Sequence, residues 1–217
     1  MKITTKIPNP FAKMKSIALS ALAVAALAST NALAGNKDDE ELKFEMVRND
    51  AGALQDALPN ARGRVKIESV GPVEIMDVKV WGLPPNTDFD FFVIQVPKAP
   101  FGLAWYQGDI ETNEYGVGHQ RFIGRFSIET FIVAQSPPAP APLVFNDSPF
   151  PNAATNPVTN PVQLYHLGLW FNDPADAAQA GAKSTVTPFN GEHNAGVQVL
   201  NTSNFPDDFG PLRHVSP

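Results

Sequence analysis

Phe89-Asp90-Phe91-Phe92-Val93-Ile94-Gln95-Val96 decides the fold. Apolar side chains occupy both parities of this run, so a strand here is covered on both faces and sits inside a sheet rather than at its rim. The run is too short for a core helix, and it is rich in the aromatic and β-branched residues that pack well on a pleated surface.

Outward from it in both directions the same rhythm continues. Toward the N-terminus, Val73 to Trp81 reads as a strand whose alternation slips near Met76-Asp77, which predicts a β-bulge there. Before the Gly71-Pro72 turn, Val65 and Ile67 alternate with Lys66 and Glu68, and Leu42 to Met46 alternates likewise. Toward the C-terminus come Leu103 to Tyr106, a turn at Thr112 to Gly116, then strands over Phe122 to Ser127 and Thr130 to Ala134. Gln163 to Phe171 (QLYHLGLWF) is a second buried run. It leads into Asn172-Asp173-Pro174, a cap followed by Pro in the first turn, then a short helix over Ala175 to Ala180 stopped by Gly181. Thr185 to Pro188 and Gln198 to Leu200 complete the set. Phe91, Val93, Leu167 and Leu169 are the expected core. The pattern predicts an all-β protein, an antiparallel β-sandwich of immunoglobulin-like or jelly-roll-like type, with one short helix.

Gln135 to Pro161 breaks the rhythm with eight prolines and one charge, Asp147. Proline cannot donate to a sheet ladder, so residues 135–161 are expected outside the sheets, as a long loop within a single domain covering residues 35–217. The chain after it offers too few strands for a core of its own.

The start of the chain has the layout of a secretory signal, residues 1–34. Lys2, Lys6, Lys13 and Lys15 precede a short apolar run, Ser16 to Ala28, and Ala32-Leu33-Ala34 is a small-x-small cleavage site. The run is shorter than the ~20 residues a membrane span needs. The expected protein is exported, secreted or periplasmic, with no membrane insertion of the mature chain. The leader holds 4 of the 16 basic residues and none of the 22 acidic ones, so the remainder has 12 against 22, a net charge of −10. That charge, with no dense basic cluster beyond Arg62, Arg64 and Lys66, argues against nucleic acid as partner. The chain has no cysteine, which excludes a thiol nucleophile, a thiolate zinc site and a disulfide framework.

One turn carries a likeness. Gly82-Leu83-Pro84-Pro85-Asn86-Thr87-Asp88-Phe89, followed by Phe91 and Val93, resembles the corner of fibronectin type III and related immunoglobulin-like domains, where a Leu-x-Pro-x-Thr-x-Tyr turn enters a core strand. The sequence departs from that pattern at Phe89, which lacks the hydroxyl of the usual Tyr. The resemblance implies sandwich architecture and no particular activity.

No catalytic residue and no metal ligand set is assigned, and no cofactor is expected. His119, His166, His193 and His214 show neither His-x-His nor His-Glu-x-x-His spacing, and His166 lies in an apolar strand where a hydrogen-bonded core role fits. Asp109, Glu111, Asn113 and Glu114 fail the calcium-loop order, because Glu114 and Gln120 stand where that order needs Gly and Glu. Two polar or aromatic groupings remain as candidate ligand contacts. Glu192-His193 sits in a Gly-bounded turn, and Trp105-Tyr106, together with Trp81, offers an aromatic platform for sugar or peptide. The sequence therefore favours a non-enzymatic binding or surface-interaction module, with a protein, peptide or glycan as partner. The competing reading is a small exported hydrolase or metal-dependent enzyme using His166, Glu192 and His193.

The leader makes a direct prediction. Intact-mass measurement of the exported protein should give a chain beginning at Gly35, and a product retaining Lys13 and Lys15 would mark the apolar run as an anchor instead.

Overall fold

A computed structural model describes residues 41–127, 131–135, 159–188 and 194–215, all within one compact unit, Asn36–Pro217. The expected leader, residues 1–34, and the greater part of the Pro-rich segment, residues 136–158, lie outside the described residues.

Eight strands form one antiparallel sheet. In chain order the first six are β1 (Leu42–Arg48), β2 (Arg62–Val70), β3 (Val73–Trp81), β4 (Asp88–Ile94), β5 (Ala104–Glu111) and β6 (Gly118–Gly124). β7 (Phe131–Gln135) and β8 (Thr159–Gln163) pair with each other as a separate ribbon. β9 (His166–Phe171), the helix α1 (Pro174–Gln179), the short pair β10 (Thr187–Pro188) and β11 (Asn194–Ala195), and β12 (Gln198–Asn201) complete the chain. The main sheet runs β5-β4-β9-β12-β1-β2-β3-β6. Its two end strands, β5 and β6, are consecutive and meet through the bridge Thr112–Gly118, so the sheet curls nearly into a barrel around one core. The all-β antiparallel class with one short helix is thus realised by a single sheet folded over its own apolar face.

The buried run that opened the reading is β4, second in the sheet, and the second run is its neighbour β9. Phe89, Phe91 and Val93 face the core with Leu167, Leu169 and Phe171, while Phe92, Ile94 and Trp170 form a smaller cluster on the outside of the same strands. Phe91, Val93, Leu167 and Leu169 are all buried, as their strands required.

The slip near Met76-Asp77 is not a bulge. β3 pairs with β2 in unbroken register from Val70 opposite Val73 to Arg62 opposite Trp81. What disturbs the pattern is Glu74, on the core side of β3 with Met76, Val78 and Val80, while the apolar Val73 and Ile75 sit on the outer side. The buried Glu74 carboxylate accepts the N–H of Phe126 at 2.6 Å and lies 3.8 Å from Arg125 Nε. The register shifts fall elsewhere: between Phe91 and Phe92 on the β4–β5 pair, where Gln107 is the extra residue, and between Gln198 and Leu200 on β12.

The Pro-rich segment also ends earlier than its composition implies. Thr159, Asn160 and Pro161 belong to β8, with Pro161 opposite Val133. A two-stranded ribbon leaves each strand one unpaired edge, so proline's missing donor costs no ladder bond when its nitrogen faces that edge.

Both ends of the curled sheet are capped by packed loops. At one end Arg48 donates to the carbonyls of Gln55 at 2.6 Å and Ala57 at 2.7 Å, shaping the 49–61 loop over buried Leu54 and Ala61. There Asp173 caps α1 by accepting the Ala175 N–H at 2.7 Å, and Gly181 leaves the helix at φ +83°. At the other end Phe205 meets Phe44 edge-on at 6.0 Å, and the 3-10 turn Pro211–His214 buries Leu212.

Replacing Leu169 by Ala should cost about 2–5 kcal/mol of unfolding free energy, because its fully buried side chain would leave a cavity between β4 and β12. Urea denaturation of the two proteins checks this; a loss under about 0.5 kcal/mol, the size of a surface change, would contradict the placement of β9.

Candidate functional site

The two-residue turn Gly71-Pro72 sets the register of β2 against β3, with Gly71 at φ +59° as such turns require at their first central position. Alternation then sends Val65 and Ile67 inward with Met76, Val78 and Val80, and puts charged residues on the outer face. The pairing arranges that face in cross-strand rows. One row is Glu45, Arg64, Lys79 and His119; the next is Lys43, Lys66, Asp77 and Arg121. Trp81 stands opposite Arg62, one row above Lys79.

Ion pairs neutralise most of these cations. Asp77 takes Arg121 through two bonds of 2.9 Å, and His119 Nε2 lies 3.3 Å from the same carboxylate. The Arg121 guanidinium beside Asp77 holds its carboxyl below the usual carboxylate range. Arg64 Nε donates to Glu45 at 2.7 Å, and Lys66 reaches both Glu41 and Glu68. Lys79 is different: among the described residues no carboxylate pairs with it, and its cross-strand neighbours are Arg64 and His119. Like charges directly opposite each other destabilise a sheet. Beside this pair lies a shallow cleft of about 450 Å³ lined by Arg64, Lys79, Trp81 and Val117. Its lining is one aromatic side chain, one aliphatic side chain and two cations.

The outer face of β4 and β5 has the opposite character. Asp88 pairs across to Glu111 and Asp90 to Asp109, and neither strand carries a Lys or Arg. Burial, and then the Asp109 charge, push the Asp88 carboxyl above its ordinary value. The bulge at Gln107 places Tyr106 opposite Phe92 and Trp105 opposite Val93. Trp105 and Tyr106 are 53% and 42% exposed but belong to opposite faces of β5, so they do not make one flat platform. Tyr106 instead continues an outer aromatic series: its ring lies 5.6 Å from Phe92, which lies 5.2 Å from Trp170, which lies 5.0 Å from Phe101. Its hydroxyl donates to Asp109 at 2.5 Å, and burial together with that bond raises the phenol above its usual range. Trp81, on β3, has none of these neighbours.

His166 is enclosed. The Thr202 hydroxyl oxygen accepts the Leu167 N–H at 3.1 Å and stands 2.9 Å from His166 Nδ1, so its proton is available to that nitrogen. Nε2 lies 3.1 Å and 3.2 Å from the carbonyls of Pro206 and Asp207, which makes it the protonated nitrogen. Both nitrogens are engaged in holding the 202–207 loop, and burial lowers the ring's affinity for a second proton. Glu192 and His193 lie outside the described residues. His119 is in the Asp77 pair, and His214 packs against Phe209 at 5.1 Å. Among the described residues no three His, Cys, Asp or Glu side chains converge in a way that holds a metal ion, and no helix is long and apolar enough to cross a membrane.

Arg64 and Lys79 escaped the linear reading because neither is remarkable in its own strand. The signal was present in the turn: once Gly71-Pro72 closes a two-residue hairpin, residues 64 and 79 must face each other. No protein-family model matches the chain, and no curated protein sequence is detectably similar to it.

The His166 environment predicts a pH dependence. Its folded-state pKa lies below the ordinary 6.5, so between the two values the unfolded chain binds more protons and stability rises with pH. Thermal melts should therefore show full stability above about pH 7 and progressive loss as pH falls through about 6.5. His166→Asn, less stable overall, should show a flatter slope across that interval; an unchanged slope would assign the effect to other groups.

Proposed function

We propose that this chain is an exported, non-enzymatic binding module whose recognition surface is the outer face of β2, β3 and β6 around Trp81. The observation that carries the reading is the cleft itself, where Trp81 and Val117 stand beside Arg64 and Lys79, the latter paired by no carboxylate among the described residues. Other cations of that face are matched by acids, as the Asp77–Arg121 pair illustrates, while Arg62, opposite Trp81, donates to the Ala61 carbonyl. A like-charge pair that a sheet tolerates at a cost to its own stability is what an anion-accepting surface needs before its ligand arrives. The export leader predicted for residues 1–34 places such a module outside the cytoplasm, and the residual acidic charge keeps it from adhering to nucleic acid. The enclosed His166, with both nitrogens engaged, gives the enzymatic alternative no support from that residue.

Probing an array of oligosaccharides and peptides with the mature chain tests this. Ligands retained by the wild type should bind Trp81→Ala at least tenfold more weakly, equivalent to about 1.4 kcal/mol. Retention unaffected in that variant but lost in Trp105→Ala or Tyr106→Ala would move the surface to β5.

A further inference from the structure

We infer that the Trp81 cleft takes a carboxylate-bearing saccharide, a uronate unit within an acidic glycan. The inference rests on the reading of that cleft as the recognition surface and names its ligand class. The cleft asks for two properties in one ligand. Trp81 brings an indole to the cleft, and the negative quadrupole of an indole ring favours the weakly positive C–H bonds on the flat side of a sugar ring. Lys79 lies two residues from Trp81 on the same face of β3 and directly opposite Arg64 on β2, so the two cations sit within reach of a single anionic group beside that ring.

The counter-ions narrow the class. Glu45 already takes Arg64 Nε, and Asp77 already serves Arg121 and His119, so among the described residues the cations of this face with no carboxylate partner are Lys79 and Arg62, both sheet neighbours of Trp81. A local demand suits one carboxylate per ring. A glycan with several sulfates per ring would place further anions over Glu45, Asp77 and Glu68 on the neighbouring positions, and would meet an exported chain whose expected net charge is −10. A free inorganic anion would leave the Trp81 and Val117 wall uncovered. Arginine's planar fork suits a carboxylate held in the plane of its N–H groups, while lysine adds a point charge that tolerates several poses.

The test uses the mature chain carrying Trp105→Phe. Trp170 is only 4% exposed, so emission changes then report chiefly on Trp81. Oligogalacturonate, its methyl ester and dextran sulfate are titrated separately. Oligogalacturonate should give a saturable emission change whose affinity falls as salt rises. The neutral ester should bind at least tenfold more weakly. Lys79→Gln should lose at least tenfold for the acid while melting no lower than the parent, because the substitution removes one of two opposed like charges. Equal binding of acid and ester, or unchanged acid binding by Lys79→Gln, would overturn the carboxylate assignment. Preference for dextran sulfate would overturn the uronate class. Absence of any oligogalacturonate response would overturn the inference too. In each of these cases the Trp81→Ala result on the array separately decides whether the cleft is a recognition surface at all.

Discussion

The Thr112 hydroxyl lies 2.7 Å from the Pro84 carbonyl and 3.0 Å from that of Thr87, and accepts the Thr87 N–H at 3.0 Å. The Thr112 N–H completes the set by donating to Thr87 at 2.9 Å. This cluster ties the link from β3 to β4 onto the turn from β5 to β6, which are the two connections that must meet for the sheet to curl. Gly116 stands at the tightest point, at φ +68°, where an added Cβ would come within 2.0 Å of the Leu83 carbonyl oxygen. Once the ends are held, β6 lies against β5 only at the turn, and the two strands then diverge. The widening seam is filled by Phe122, which stacks on Phe91 at 5.3 Å and lies where a side chain on Gly108 would otherwise sit. The core of this cysteine-free chain is closed by that aromatic stack and those hydrogen bonds.

Strand positions were legible because each strand's apolar parity is local information. Val65 and Ile67 alternate with Lys66 and Glu68, and β4 and β9 carry apolar residues on both parities because both their faces are covered. What sequence could not show was pairing between distant strands. β4 and β9 are separated by more than seventy positions yet lie side by side, with Phe91 opposite Leu169. Glu74 misled the reading of β3 because a carboxylate on the core side looks like a break in alternation. Its reason for being there, the N–H of Phe126, belongs to a bend fifty-two residues away. The bulge at Gln107 was invisible for the same cause: only the partner strand reveals that one residue is extra.

That bulge also decides how the exposed aromatics are used. Adjacent residues of a strand point to opposite faces, so Trp105-Tyr106 could form a single platform only if the strand were distorted between them. The distortion lies one residue later, and Tyr106 is committed to the Phe92–Trp170–Phe101 series. Of the aromatic residues singled out in the sequence, Trp81 is the one that meets complementary charge, because a two-residue hairpin carries it alongside Arg64 and Lys79.

The opposed cations could be ascribed to the protection that sheets give their edges, where lysines discourage pairing with other chains. That account suits β6, an end strand bearing His119 and Arg121. It does not suit Arg64 and Lys79, whose strands are interior, with β1 on one side and β6 on the other. Edge protection also requires only charge, of either sign, and is satisfied by cations already paired to acids, as Arg121 is to Asp77. The Arg64–Lys79 pair has one carboxylate between two cations, at a position where a Glu or Asp in place of Lys79 would complete a Glu45–Arg64–acid row and remove the repulsion. The sheet keeps the less stable choice beside its half-buried tryptophan on this face, and under the proposed reading of the cleft the compensation for that choice is an anion supplied from outside the chain.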